Sequence, residues 1–301
     1  MKKTLFLTAL AGFAALLCLS CNKPDNGGDT PKDIDVVFEE PAYLDQAAVV
    51  TFPSTGTSLN VDKQKLVKPE KLLLMESGHY VFMGRLVGSA SYAPTKAGDD
   101  IFIRSGKYTL SNKAYMLDGF GTWEISGDKI IIDMGGNPVS YEVNINHPSA
   151  PSAGVESNLV RGWKPSGKVK ISIPSKGIST NIEPSLDAVA AYLQEHGVSI
   201  NKEDYAGYQV AFISLSLADN TFILGFTNKE AYVGTWKWAD KNAGKFTYNF
   251  QQAYGSELIN GSAAGTVKFY KEGGSNKCDF VMEISAKGVT ANLEFALVEM
   301  K

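Results

Sequence analysis

Over most of its length this chain alternates apolar and polar residues in short runs. A chain whose side chains must point alternately to two faces forms strands, not helices. The runs His79-Tyr80-Val81-Phe82-Met83, Lys107-Tyr108-Thr109-Leu110, Lys129-Ile130-Ile131-Ile132-Asp133, Lys168-Val169-Lys170-Ile171-Ser172-Ile173, Thr266-Val267-Lys268-Phe269-Tyr270 and Asn292-Leu293-Glu294-Phe295-Ala296-Leu297 are separated by clusters of Gly, Asn and Asp. Strands of this size with such turns suit antiparallel sheets, so the expected fold class is mainly β.

One helix interrupts the pattern. Ser185 stands where an N-cap belongs, Leu186, Val189, Ala190 and Leu193 recur at helical spacing, and Gly197 follows where a left-handed stop is expected. This predicts an amphipathic helix near 185–195, laid on a sheet or over one end of a barrel.

Two polar, Pro-containing stretches divide the chain. Residues 21–40 read as a flexible tether, and 147–157, containing His147-Pro148-Ser149-Ala150-Pro151, as a linker. They leave an N-terminal β domain at 41–146 and a C-terminal β domain at 158–301, each large enough to bury its own core.

A phrase recurs in both domains. Tyr108-Thr109-Leu110 leads to Gly121-Thr122-Trp123, a turn at Ser126-Gly127-Asp128 and Lys129-Ile130-Ile131-Ile132-Asp133. About 113 residues later Thr221-Phe222-Ile223 leads to Gly234-Thr235-Trp236 and Lys245-Phe246-Thr247-Tyr248. Glycine there permits close backbone approach, and tryptophan supplies a large apolar plug. By period two, Trp236 and Trp238 share a face, so the pair is either core or the lining of a cavity.

This repeated meander resembles lipocalin-like domains of Bacteroidetes envelope lipoproteins. The resemblance implies two antiparallel β-barrels or curved sheets and carries no catalytic residue onto this chain.

The N-terminus points to export. Met1-Lys2-Lys3 precedes an apolar run from Leu5 to Leu19, too short for a spanning helix with its anchors, and polar sequence follows at once. Residues 1–20 read as a signal peptide. Leu17-Cys18-Leu19-Ser20-Cys21 resembles a lipoprotein signal box, which implies a diacylglyceryl thioether on Cys21 and a membrane partner through it; two or more acyl chains anchor stably. Asn22 after the cysteine, by resemblance to Gram-negative sorting patterns, points to the outer membrane, with its periplasmic and surface faces both open.

Composition and motifs exclude several function classes. Removing residues 1–20 takes Lys2 and Lys3 and no acid from 29 basic and 32 acidic side chains, so the mature chain carries a formal charge of about −5. No basic stripe interleaves with aromatics, so no nucleic-acid partner is expected. With Cys18 removed and Cys21 lipidated, Cys278 is the one free thiol and reads as a buried apolar residue. His79, His147 and His196 show no ligand spacing, and His196 suits the dipole at a helix C-terminus. Asp99-Asp100, Glu39-Glu40 and Glu203-Asp204 read as solvated turns, not calcium loops. No metal or cofactor is expected.

The expected function is therefore a lipid-anchored, non-enzymatic envelope protein that binds a glycan, a peptide or a small apolar ligand. The alternative is a structural component of an outer-membrane assembly, with an envelope protein as partner. A hydrolase built on paired carboxylates is a third reading. The candidate ligand-binding aromatics are Trp236, Trp238, Trp123, Tyr92, Trp163 and Tyr254. Of these, Trp123 and Trp236 read as core, and Tyr92, Trp163 and Tyr254 as surface residues.

Overall fold

A computed structural model describes residues 36, 38–39, 43–61, 65–87, 101–152, 154–250 and 261–300. Residues 1–20, read above as a signal peptide, Cys21, most of the stretch read as a tether, Tyr92, Asp99-Asp100 and Tyr254 lie outside the described residues. Strands make up 59% of the described residues and helical turns 12%, so the fold is mainly β.

The first sheet has ten strands: β1 (Ala48–Thr51), β2 (Leu59–Val61), β3 (Lys65–Leu74), β4 (His79–Leu86), β5 (Ile101–Ser111), β6 (Ala114–Leu117), β7 (Thr122–Ser126), β8 (Lys129–Asp133), β9 (Val139–Glu142) and β10 (Asn144–Asn146). Every pairing is antiparallel, and from β3 to β9 each strand pairs with the next. β9 and β10 are one run broken only at Val143. β9 pairs with β8 and β10 with β1, which curls the sheet round on itself into a nearly closed barrel, with β2 paired to β3 alone among the described strands.

β8 shows why these residues form strands: Ile130 and Ile132 point into the barrel and are buried, while Ile131 between them is exposed. β3 carries Pro69, which has no N–H to give to the ladder. The register shifts there, and the opposing residue is Gly84, whose added Cβ would lie 2.6 Å from the Lys68 carbonyl oxygen.

The second barrel opens with α1 (Val155–Leu159), which falls at the end of the stretch read as a linker; Val155 and Leu159 belong to this barrel's core. There follow β11 (Gly162–Pro165), β12 (Val169–Ile173), β13 (Ile178–Ile182), α2 (Leu186–Glu195), β14 (Val210–Ser216), β15 (Thr221–Phe226), β16 (Ala231–Asp240), β17 (Lys245–Phe250), β18 (Gly261–Glu272), β19 (Ser275–Ala286) and β20 (Val289–Glu299). The sheet runs from β11 through β14 to β20 and closes where β20 pairs back onto β11. β12 shares the same edge of β20, and β13 hairpins onto it.

α2 buries Leu186, Val189, Ala190 and Leu193 against the barrel, the stripe expected from their spacing. Ser185 takes the N-cap position, although its hydroxyl makes no capping bond. Gly197 adopts the left-handed conformation at φ +86°. His196 Nδ1 lies 2.7 Å from the Tyr192 carbonyl oxygen, on the last turn of the helix.

The two Gly-Thr-Trp phrases do the same local job at non-equivalent places. The first spans β5, β6, β7 and β8, the second only β15, β16 and β17. At Gly121 an added Cβ would stand 2.2 Å from the Asp133 carbonyl oxygen, and at Gly234 2.5 Å from that of Asn249. The tryptophan two residues on then turns inward: Trp123 Nε1 donates to the Phe120 carbonyl at 2.8 Å, and Trp236 Nε1 to that of Ser216 at 3.0 Å.

Among the described residues, aromatic side chains pack both interiors. In the first barrel Phe82, Phe102, Phe120 and Trp123 interlock, with Phe82–Phe120 ring centroids 5.0 Å apart. Buried tyrosine tips reach backbone carbonyls: Tyr80 to Asp118, Tyr108 to Met75 and Tyr141 to Thr57. In the second barrel Phe222 touches Phe246, Tyr248, Phe250 and Phe280. A void beneath α2, lined by Val210, Leu224, Leu293 and Phe295 among others, is about 10 Å³, room for about one water molecule.

Candidate functional site

Three segments are apolar without alternation: Leu72-Leu73-Leu74-Met75, Tyr80-Val81-Phe82-Met83 and Phe222-Ile223-Leu224. Such runs mark strands buried on both faces. Leu72, Leu74, Tyr80 and Phe82 fill the first barrel. Leu73, Met75, Val81 and Met83 point out and meet Phe212, Ala218, Ile223, Ala231 and Val233 on the outside of the second. The two barrels therefore share a third apolar core between their walls.

That wall contact carries a buried polar seam. Glu76, 1% exposed, accepts from Ser216 Oγ at 2.6 Å and from the Leu217 N–H at 3.2 Å. Burial raises its carboxyl above the usual range, against the lowering effect of these hydrogen bonds. Ser214 Oγ donates to Ser77 Oγ at 3.1 Å, and His79 Nδ1 lies 3.2 Å from both the carbonyl and hydroxyl oxygens of Ser77. Desolvation, then the charge of Lys107, lowers the His79 imidazole to about 4. Ser105 completes the seam, its N–H and hydroxyl donating to the carbonyls of Lys229 and Glu230 across the barrels.

At one margin of this contact the walls part to form a cleft of about 530 Å³. Leu73, Met83 and Val233 supply apolar lining, and Glu70, Lys71, Asp219, Asn220 and Thr235 supply polar lining. Lys71 Nζ pairs with Asp219 Oδ2 at 2.5 Å from barrel to barrel, and Arg85 Nε with Glu70 Oε1 at 2.7 Å. Asp219 and Asn220 both take left-handed backbone, at φ 53° and 48°, a conformation these two residue types tolerate better than most. The turn bearing them is held by Glu76 through Leu217 and Ser216, and by the Thr221 hydroxyl, which donates to the Ala218 carbonyl at 2.6 Å. The rim is thus fixed in place before anything binds.

The tryptophans singled out by sequence do not converge on this cleft. Trp123 and Trp236 are core plugs, 0% and 4% exposed. Trp163, read above as a surface aromatic, is 1% exposed, because β11 is the first strand of a closed barrel and turns its ring inward against Phe269. Trp238 is half-buried, edge-on to Trp236 at 5.2 Å, with Nε1 3.4 Å from Glu156 Oε1. Among the described residues, no group of three or more His, Cys, Asp or Glu side chains is placed to hold a metal ion. Cys278 is fully buried, and burial pushes its thiol well up.

The fold defines a protein of two antiparallel β-barrels packed wall to wall, with a cleft at the junction. No protein-family model, curated protein or solved structure matches the chain.

Proposed function

We propose that the mature chain is a non-enzymatic envelope lipoprotein, anchored in the outer membrane through Cys21, that binds its ligand between the barrels and not inside either. The observation that carries this reading is the contrast between two interiors packed with aromatic side chains and a preformed cleft of about 530 Å³ outside them, a size typical of ligand sites. Leu73, Met83 and Val233 form an aliphatic surface, and methionine adapts its shape to what it meets. Such a surface suits an apolar peptide side chain better than a sugar ring, which stacks on aromatic faces. The carboxylates at the rim, Glu70 and Asp219, are each engaged by a cation, an arrangement that orders a binding rim.

Titration of the purified mature protein against peptide and glycan panels tests the proposal, with Thr235→Trp as the blocking variant. Thr235 is exposed at the cleft, so the indole fills the cleft without entering either core. A peptide that binds the parent protein and loses at least tenfold in affinity to Thr235→Trp supports the proposal. Binding unchanged by the substitution places the ligand elsewhere. No binding across both panels, together with a reproducible crosslinked envelope protein, favours a structural role.

A further inference from the structure

The second barrel holds a piece of chain that is not its own. Val36, Phe38 and Glu39 precede the whole first barrel, yet they dock on residues 158–163 and 269–271, on the far side of that barrel in sequence. Phe38 is 4% exposed; its ring centroid lies 6.2 Å from that of Trp163 and 6.0 Å, edge-on, from that of Phe269. Two cations lie over the same ring, Arg161 at 5.2 Å and Lys271 at 5.9 Å.

The main chain of the segment is read as closely as its side chain. Asn158, 1% exposed, accepts from the Phe38 N–H through Oδ1 at 3.3 Å and donates through Nδ2 to the Val36 carbonyl at 2.5 Å. One side-chain amide thus satisfies a donor and an acceptor two residues apart, a pairing that specifies a peptide backbone. Arg161 Nη2 donates to the Glu39 carbonyl. Arg161 is itself 3% exposed and held by Glu299, whose Oε1 is 2.5 Å from Nη1 and whose Oε2 accepts from Asn276 Nδ2 at 2.6 Å.

We propose that this end of the second barrel is a peptide-binding socket, made by Asn158, Arg161, Trp163, Phe269 and Lys271, and occupied in cis by the chain's own Val36, Phe38 and Glu39. Its ligand class is a short acidic peptide centred on an aromatic residue. The segment Asp33-Ile34-Asp35-Val36-Val37-Phe38-Glu39-Glu40 has that composition; Lys271 carries the opposite charge, while Arg161, paired with Glu299, reads the main chain. An aromatic anchor in a buried pocket, flanked by fixed main-chain contacts, is how a few residues come to dominate a peptide interface. Covalent linkage holds the strap at high effective concentration, so a free peptide competes only when the strap is weakened. The site is distinct from the inter-barrel cleft and does not depend on it.

The test uses the full mature chain carrying Phe38→Ala and a fluorescent peptide spanning residues 33–42. Saturable one-to-one binding to the variant is expected, at least tenfold weaker for the unsubstituted chain, whose socket is filled. Binding should also fall at least tenfold when the peptide's phenylalanine is replaced by alanine, or when Asn158→Ala is added. A Phe38→Ala chain that keeps the parent circular dichroism and melting profile, yet binds neither peptide or binds both equally, overturns the proposal. Should Phe38→Ala fail to fold, Phe38→Leu, which keeps an apolar plug but loses both cation contacts, takes its place with the same criteria.

Discussion

The imidazole of His79 lies flat on the ring of Phe212, centroids 4.1 Å apart and planes at 23°, so that a strand of one barrel is stacked on a strand of the other. The ring is buried, and its Nε2 has no hydrogen-bond partner. A protonated imidazole in that position would be an unpaired buried charge, so the contact depends on His79 staying neutral.

Acid should therefore loosen the junction. Burial first, and Lys107 second, lower the His79 proton affinity from 6.5 to about 4. Between those values the unfolded chain takes up a proton that the folded chain refuses. The stability contributed by neutral His79 is complete above the unfolded value and is lost as pH falls through the folded one, a loss of about 3 kcal/mol. Glu76 in the same seam acts oppositely, because burial raises its carboxyl: its neutral form favours folding at low pH, and that contribution is lost as pH rises through the raised value. Denaturant melts at pH 7 and pH 4 should show the parent losing more stability to acid than His79→Phe, which preserves the stack and leaves the Glu76 contribution in both. Equal acid sensitivity in parent and variant would assign the effect to other groups.

The same ring restricts its neighbour. A Cβ on Gly162 would lie 2.7 Å from His79 Cε1, and His79 has Phe212 against it. Gly162→Ala should destabilise the protein by about 1–3 kcal/mol, the usual range for overpacking. The double variant Gly162→Ala/His79→Ala should recover part of that loss. Additive effects in the double-mutant cycle would break the link between the two residues.

The glycines of the two Gly-Thr-Trp phrases should be intolerant for a backbone reason. At Gly234 the added methyl meets the Asn249 carbonyl at 2.5 Å; at Gly121 it meets that of Asp133 at 2.2 Å, on backbone with φ +82°. Each alanine variant should lose about 2 kcal/mol or more, because a strand and not a side chain must move. Gly136→Ala, which meets nothing within 4 Å, is the control and should melt with the parent. Equal melting of all three variants would remove the close-approach argument.

Lys71–Asp219 should matter more for binding than for stability. Both side chains are about a third exposed or more, and exposed pairs contribute about 0–1 kcal/mol. Lys71→Ala should leave the melting temperature within a few degrees of the parent while weakening cleft ligands severalfold. A large stability loss with unchanged affinity would reverse those roles.

Local structure was legible in the chain and the site was not, for a physical reason. Ile130, Ile131 and Ile132 announce a strand by alternation, and Leu186, Val189, Ala190 and Leu193 announce a helix by period, because each pattern needs only neighbouring residues. The runs at Leu72-Leu73-Leu74 and Phe222-Ile223-Leu224 also carried a signal: loss of alternation marks burial on both faces, and hence the wall that bears the cleft. What sequence could not supply was which walls meet. Lys71 and Asp219 are 148 residues apart and the contact between Phe38 and Asn158 spans 120, separations set only once both barrels have closed. Trp163 was misread because Gly162, Lys164 and Pro165 around it have the composition of a turn, while its burial comes from pairing with β14 and β20.

Methyl NMR on the protein, labelled at Met, Leu and Val and titrated with the tightest binder from the peptide panel, tests most directly the claim that ligand binds between the barrels and not within them. Shifts should concentrate at Leu73, Met83 and Val233 in the cleft, with Leu117 inside the first barrel and Met282 and Leu293 inside the second unmoved. Shifts at Leu117, Met282 or Leu293 with the three cleft residues silent would contradict it.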